Sequence, residues 1–111
     1  MLKADYTIGG SINVALLNFT KAMSEIDGVR VNAINPGYIA TDRLTRGLER
    51  MASKGHVSLE EAAAQRLAAL RIERFGRPEE IAAFTAFLAS NRASFMQGAI
   101  IDVDGGQIRV P

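Results

Sequence analysis

The stretch "VRVNAINPGYIATD", residues 29–42, decides the fold that this sequence predicts. Its first half alternates β-branched and polar residues, which is typical of a β-strand and predicts one over residues 29–35. Pro36 and Gly37 then end the strand, because proline lacks a backbone N–H and glycine permits a sharp turn. Helical patterns stand before and after this stretch, so it predicts one strand of an α/β layer fold.

A second strand is expected near the end of the chain, where the short apolar run of residues 99–103 follows Gly98. Asp104, Gly105 and Gly106 have the residue types of a turn and are expected to end this strand. Both strand candidates are apolar runs of the kind found in parallel sheets that are covered on both faces. Two such strands, separated by helices, predict part of a parallel sheet.

The first helix is predicted over residues 10–26, because apolar side chains recur there at spacings of three and four. The apolar surface is wide, and it predicts burial on more than one side. Gly28 is expected to stop the helix as its C-cap. This broad apolar face also suggests an alternative function, a non-catalytic binding or assembly module.

Residues 42–77 form a polar insert with helical pieces. Ser58 and Glu61 have the spacing of a capping box, which predicts that a helix starts near Leu59. Pro78 suits the first position of a further helix, because its missing N–H has no intrahelical partner at that position. The element order is therefore helix, strand, helical insert, helix and strand.

Composition excludes several classes of function. The 111 residues are 48% hydrophobic with a net charge of +1 and no tryptophan, which gives no basis for nucleic-acid binding. Cysteine is absent and histidine occurs once, so neither disulfides nor a metal site is expected. No apolar run reaches the roughly 20 residues of a membrane span. The chain is expected to be cytoplasmic, with no membrane partner.

Three segments in the order "VRVNAINPGYIATD", "RFGRPEEIAAFTAFLAS" and "GAIIDVDGG" resemble the C-terminal half of a short-chain dehydrogenase/reductase. The resemblance implies a doubly wound, Rossmann-like parallel sheet, of which this chain supplies two strands plus flanking helices. Residues 1–111 would then be a partial NAD(P)-binding domain, with residues 42–77 as a substrate lid. The implied reaction is hydride transfer between NAD or NADP and a small carbonyl or alcohol substrate.

The resemblance also implies cofactor-binding residues. Pro36 and Gly37 would let the backbone approach the nicotinamide, and the backbone of Ile39 would bond its carboxamide. The Thr41 hydroxyl would bond the carboxamide or a phosphate oxygen. Two plainer readings stay open, since Pro36-Gly37 could be an ordinary strand-ending turn and Thr41 could cap the next helix.

The family's catalytic Tyr-x-x-x-Lys pair has no direct match in this chain. Counting from Tyr6, the only nearby candidate for a catalytic tyrosine, the lysine position holds Gly10. A second register, anchored on Phe19-Thr20-Lys21, puts Gly9 and Asn13 at the two positions. Neither register has a lysine at the second position, and in this respect the sequence resembles a divergent branch of the family. Asn13 could still donate a hydrogen bond to the nicotinamide ribose, but it carries no charge to shift a phenol.

The sequence also lacks the family's glycine-rich phosphate loop and catalytic serine, which would lie upstream of Met1. The chain is therefore interpreted as a fragment of an oxidoreductase that is inactive on its own. A non-catalytic binding or dimerisation module, joined through helix 10–26, is the alternative. A third possibility is that a separately encoded upstream half completes the site. The sequence determines neither the substrate nor the choice between NAD and NADP.

Overall fold

A computed structural model describes residues 7–108 of the chain. Their order confirms the α/β prediction: α1 (Thr7–Met23), β1 (Ala33–Pro36), α2 (Asp42–Gly55), α3 (Leu59–Leu70), α4 (Pro78–Ala89), a short 3₁₀ turn (Asn91–Ala93) and β2 (Ile100–Val103). The chain divides into two compact units, and each is built from separate segments of the sequence. Unit 1 contains residues up to 34 together with 87–101, and unit 2 contains residues 35–86 together with those from 102 onward.

The strands β1 and β2 form a two-stranded parallel sheet, as predicted. Backbone hydrogen bonds advance in the same direction along both segments, from Ala33 N to Ala99 O at 2.8 Å and from Gly37 N to Val103 O at 3.1 Å. The first strand is shorter than the predicted 29–35. Before Ala33, Val31 O still accepts from Gly98 N at 2.8 Å, but side chains take other hydrogen bonds that strand pairing would use. Val31 N donates to Gln97 Oε1 at 2.8 Å, and Asn32 Oδ1 accepts from Ala99 N at 2.9 Å.

Helix α1 lies three residues earlier than the predicted 10–26. After Met23 the chain tightens into i→i−3 turns, with Glu25 N bonded to Ala22 O and Ile26 N bonded to Met23 O, both at 3.2 Å. These bonds end the α-helical pattern before the aspartate-glycine pair, although the apolar spacing continues to Ile26. Gly28 adopts φ +79° in the following turn and is not the helix C-cap.

The apolar surface of α1 is exposed to solvent in the described part of the chain. Ile12, Leu16 and Phe19 are 63%, 58% and 55% exposed, so the prediction that this helix is buried on more than one side is wrong here. Unit 1 buries instead Thr20, whose hydroxyl donates to Leu16 O at 2.9 Å, and Leu88. The periodicity correctly marked apolar side chains, but it does not specify what covers them.

In unit 2, the helices α2 and α3 pack against each other and bury Leu48 and Ala62. The predicted capping box is confirmed at the start of α3: Ser58 Oγ accepts from Glu61 N at 3.1 Å, and Glu61 Oε2 accepts from Ser58 N at 3.0 Å. Pro78 opens α4 as predicted. The turn that follows β1, where the candidate site lies, belongs to the same unit.

Candidate functional site

The turn after β1 lies directly against the turn after β2. A Cβ atom added to Gly37 would lie 2.7 Å from both Cα and Cβ of Asp104, closer than real Cβ contacts come. The Asp104 turn therefore requires glycine at position 37, because a larger residue would collide with it. The expected close approach to a nicotinamide would be a second reason for the same residue.

The Asp104 turn is held by its own carboxylate, which accepts hydrogen bonds from Gly106 N at 2.9 Å and Ile108 N at 2.7 Å. Gly105 and Gly106 adopt φ +67° and +83°, in the left-handed region that glycine enters without strain. The predicted turn over these residues is thus confirmed. Because backbone N–H groups already bind the Asp104 carboxylate, we assign it a structural role in the site rather than a catalytic one.

The backbone around Ile39 forms one parallel bridge to Gly76. Ala40 N donates to Gly76 O at 2.7 Å, and Gly76 N donates to Tyr38 O at 2.9 Å. In such a bridge the flanking residues make both bonds, so the N–H and C=O of Ile39 itself point away from Gly76. Within residues 7–108, no acceptor bonds the Ile39 N–H. An open backbone donor therefore lies just beyond the carboxyl end of β1.

Thr41 occupies the N-cap position of α2 with extended backbone, but its side chain makes no capping bond. Its hydroxyl donates to Ile39 O at 3.3 Å instead. The plainer reading of Thr41 as a helix cap therefore holds for its backbone position only. The hydroxyl oxygen and the Ile39 N–H belong to one short segment, so they offer an acceptor and a donor close together in sequence.

Two helices of the predicted lid contact this segment through one side chain. Arg66, on α3, has its guanidinium carbon 5.6 Å from the centre of the Tyr38 ring, within the range of a cation–π interaction. Its Nη2 also donates to Met51 Sδ on α2 at 3.7 Å. Arg66 thus joins α2, α3 and the residue that immediately precedes Ile39.

A cavity of about 460 Å³ lies in unit 2 and is lined by residues that include Tyr38, Ile39, Arg71, Arg74, Ile81 and Gly105. Arg74 forms a two-point contact with Glu80, with nitrogen–oxygen distances of 2.8 and 2.6 Å. The Arg74 hydrogen bond, followed by that from the Arg77 N–H at 2.7 Å, lowers the pKa of Glu80 to about 2. The cavity wall therefore carries a compensated ion pair.

The structure places four of the predicted cofactor residues, Pro36, Gly37, Ile39 and Thr41, along one segment of unit 2. Asn13 lies exposed on α1 in unit 1. Tyr6, the candidate catalytic residue, lies outside the described residues. Sequence reasoning missed the roles of Gly76 and Arg66, because both depend on contacts with residues far away in the chain.

Residues 7–108 contain no group of three or more histidine, aspartate or glutamate side chains placed to hold a metal ion. No helix in that range combines the length and apolar character needed to cross a lipid bilayer.

Sequence comparison finds relatives over almost the whole chain. A family profile described as enoyl-(acyl carrier protein) reductase matches residues 5–107. The NADPH-dependent reductase BacG of Bacillus subtilis is 39% identical over 101 residues, which cover 88% of this chain and 39% of the relative.

Solved structures show the same relationship. A short chain dehydrogenase family protein from Francisella tularensis superposes with a TM-score of 0.78 at 31% identity, covering 84% of this chain and 40% of that one. The L-sorbose reductase of Gluconobacter frateurii, solved with NADPH and L-sorbose, gives a TM-score of 0.80 at 32% identity, covering 88% and 39%. The chain thus spans about two fifths of the length of these relatives.

Proposed function

This chain belongs to the short-chain dehydrogenase/reductase family, and on that premise we propose that it supplies the nicotinamide-binding and substrate-covering part of an NAD(P)-dependent oxidoreductase. The reaction is hydride transfer between the cofactor and a small carbonyl or alcohol compound. Two of the relatives are named as an NADPH-dependent reductase and as a reductase bound to NADPH, which supports a nicotinamide cofactor.

The open Ile39 N–H is the observation that carries this proposal. It lies beyond the carboxyl end of a parallel strand, where open α/β sheets bind their ligands. A carboxamide has one oxygen that accepts and one NH₂ that donates, so it matches the Ile39 N–H and the Thr41 hydroxyl oxygen together. The donor set of this segment therefore fits the carboxamide end of a nicotinamide.

The cofactor, when bound, supplies the hydride. The chain's own residues hold and shield the reacting groups. Ile39 and Thr41 would orient the carboxamide, and the Gly37–Asp104 contact fixes the position of the segment that carries them. The lid helices α2 and α3 exclude water from the substrate. By the family resemblance, Asn13 on α1 would be the residue that donates a hydrogen bond to the nicotinamide ribose.

The described chain lacks other parts that such a reaction needs. Residues 7–108 contain no strand, glycine-rich loop and helix in the arrangement that binds a dinucleotide pyrophosphate. We therefore expect the 111-residue chain alone to show no NADPH oxidation with a panel of carbonyl compounds. Measurable turnover by the isolated chain would contradict this expectation.

Nicotinamide binding is testable without turnover. Nuclear magnetic resonance titration of the ¹⁵N-labelled chain with reduced nicotinamide mononucleotide is expected to shift the amide signals of Ile39 and Thr41. Ribose 5-phosphate, which lacks the nicotinamide, is the matched ligand and is expected to leave them in place. Equal shifts with both ligands would show that the segment does not recognise the carboxamide.

A matched pair of variants tests the Ile39 N–H itself. Ile39→Pro removes the N–H, whereas Ile39→Val keeps it and changes only the side chain. We expect Ile39→Pro to weaken mononucleotide binding by about 2- to 10-fold, the usual effect of one hydrogen bond, and Ile39→Val to bind like the parent. Thermal unfolding of both variants checks that the fold is retained. Equal affinities would remove Ile39 from the proposed site.

Self-association through α1 is a second candidate function, favoured by its exposed apolar side chains. An apolar helix face of this kind is buried when two copies associate across a two-fold axis. Sedimentation equilibrium is expected to show a dimer that Leu16→Glu dissociates, with the polar surface variant Glu25→Gln as control. A parent chain that stays monomeric at high concentration would rule out this association.

A further inference from the structure

The Arg66 guanidinium has unusual partners. Its side chain is half-buried on α3, and its contacts are the Met51 sulfur at 3.7 Å and the Tyr38 ring at 5.6 Å. Among the residues that the structure describes, no carboxylate lies within 4.0 Å of it and no oxygen atom accepts a hydrogen bond from it. Both partners are soft, polarisable groups, and neither carries a negative charge.

Two other arginines among the described residues have oxygen atoms as their partners. Arg30 donates to three carbonyl groups at 2.8–3.0 Å, and Arg74 donates to both carboxylate oxygens of Glu80. A guanidinium has five N–H donors, and a thioether is only a weak hydrogen-bond acceptor. An aromatic face attracts the positive charge but does not accept hydrogen bonds from most of these donors. Arg66 is therefore held in place while most of its donors stay open to a ligand.

The position of Arg66 connects it with the proposed reaction centre. Tyr38 immediately precedes Ile39, the residue that we assign to the nicotinamide carboxamide. A substrate must place its reacting carbon against the nicotinamide ring, beneath the lid that α2 and α3 form. The guanidinium on α3 therefore contacts the residue next to the one that would hold the carboxamide.

We propose that Arg66 determines substrate specificity by binding a carboxylate, so that the substrate class is oxo acids or hydroxy acids. The planar fork of a guanidinium matches the two oxygens of a carboxylate, and such pairs are stronger than neutral hydrogen bonds. Tyr38 and Met51 position the fork before the substrate arrives. This inference rests on the proposed function, because it takes the position of the nicotinamide from the Ile39 assignment.

A matched pair of ligands differing by one charge tests the inference. The labelled chain is titrated with benzoylformate, an oxo acid, and with its neutral methyl ester, and dissociation constants are taken from the amide shifts. We expect the acid to bind about tenfold or more tightly than the ester, the difference typical of a charge-assisted hydrogen bond. Signals of Tyr38 and of the Arg66 side-chain Nε–H should shift with the acid.

Three variants identify the residue responsible. Arg66→Met removes the charge and is expected to abolish the preference for the acid. Arg66→Lys keeps the charge but loses the fork, and part of the preference should remain. Arg46→Met removes an exposed arginine on α2 and should bind the acid like the parent. Thermal unfolding curves confirm that each variant is folded.

The outcomes separate this inference from the proposed function. Equal binding of acid and ester, no binding of either, or an unchanged preference in Arg66→Met would each overturn the carboxylate role of Arg66. Mononucleotide binding at Ile39 can succeed in all of these cases, so the proposed function would stand. If the acid binds through Arg66 but the mononucleotide does not bind, the carboxylate site stands and its assignment to a hydride-transfer substrate is wrong.

Discussion

At the scale of single residues, Gly37 shows how one atom constrains the site. Its Cα faces the backbone of Asp104, and a methyl group there would lie 2.7 Å from two Asp104 carbon atoms. Neither atom is the end of a flexible side chain, so relief requires the two turns to separate. The Asp104 carboxylate already binds two backbone N–H groups, which resists that movement.

We expect Gly37→Ala to lower the free energy of unfolding by about 1–3 kcal/mol, the usual cost of overpacking. Gly47→Ala is the control, because Gly47 lies within α2 and an added Cβ meets no atom within 4 Å. That control should gain about 1 kcal/mol from the better helix propensity of alanine. Urea unfolding followed by circular dichroism measures both. Similar values for the two variants would contradict the close contact at Gly37.

The Glu80 ion pair predicts how stability depends on pH. Arg74 and the Arg77 N–H lower the pKa of Glu80 from 4.5 to about 2. The folded state therefore stabilises the ionised Glu80 carboxylate more than the unfolded state does. The stabilisation is therefore present above pH 4.5 and is lost as the pH falls from 4.5 towards 2. Both side chains are partly exposed, at 62% for Arg74 and 32% for Glu80, so salt should weaken it.

Melting temperatures of the parent and of Glu80→Gln, recorded from pH 7 down to pH 2, measure this contribution. We expect the parent to lose more stability than the variant over the acid range, so that the two curves converge at low pH. Added salt should reduce the difference at neutral pH. A constant gap between the curves would mean that ionised Glu80 does not stabilise the fold.

At the scale of elements, the Arg30 side chain caps the C-terminal end of helix α4. Its guanidinium donates to Leu88 O, Ser90 O and Ala93 O, which are carbonyls at the end of the helix and in the following turn. Carbonyls of a last helical turn lack intrahelical donors, and a positive charge there also suits the helix dipole. One side chain thus joins the segment before β1 to the end of α4 within unit 1.

We expect Arg30→Met to destabilise unit 1 by about 2–3 kcal/mol, because it removes charge-assisted bonds to partly buried carbonyls. Arg30→Lys should fall between this variant and the parent, since one ammonium cannot reproduce the geometry of the guanidinium. Hydrogen exchange should rise at the amides near the end of α4. Unchanged protection there in Arg30→Met would show that other groups hold the end of this helix.

Local sequence signals predicted the elements with uneven success. The Ser58–Glu61 box and Pro78 marked two helix starts correctly, because capping depends on residues three positions apart or fewer. The ends of α1 and β1 were less predictable. The side chains of Gln97 and Asn32 replace part of the strand pairing before Ala33, and such long-range bonds leave no local pattern in the sequence.

At the scale of the whole molecule, the proposed reaction requires a group that transfers a proton to or from the substrate oxygen. Gly10, the lysine position in the Tyr6 register, is buried, whereas Asn13 is exposed on the same helix. A lysine charge is costly to bury and is tolerated where exposed. The Gly9 and Asn13 register is therefore the one that can accept the family's tyrosine–lysine pair, four residues apart on one helix face.

A fusion of this chain behind the N-terminal part of the Bacillus subtilis reductase supplies the phosphate-binding elements for a turnover test. We expect the double variant Gly9→Tyr/Asn13→Lys to oxidise NADPH about 10² to 10⁴ times faster than the unmodified fusion, the range typical of a proton relay. Gly10→Lys is the control and should not accelerate the reaction. Tyr6→Phe in the unmodified fusion is expected to leave turnover unchanged, and a large loss of turnover would make Tyr6 the proton donor.

The sequence by itself determined the α/β class, the parallel strand pair, the helix caps and the family. These follow from hydrophobic periodicity, turn residues and short motifs, which act over a few neighbouring residues. Only the tertiary structure decided that Gly37 meets Asp104, that Gly76 turns the Ile39 N–H outward, and that Arg66 lies on Tyr38. Those contacts join residues tens of positions apart, and their distances depend on how the elements pack.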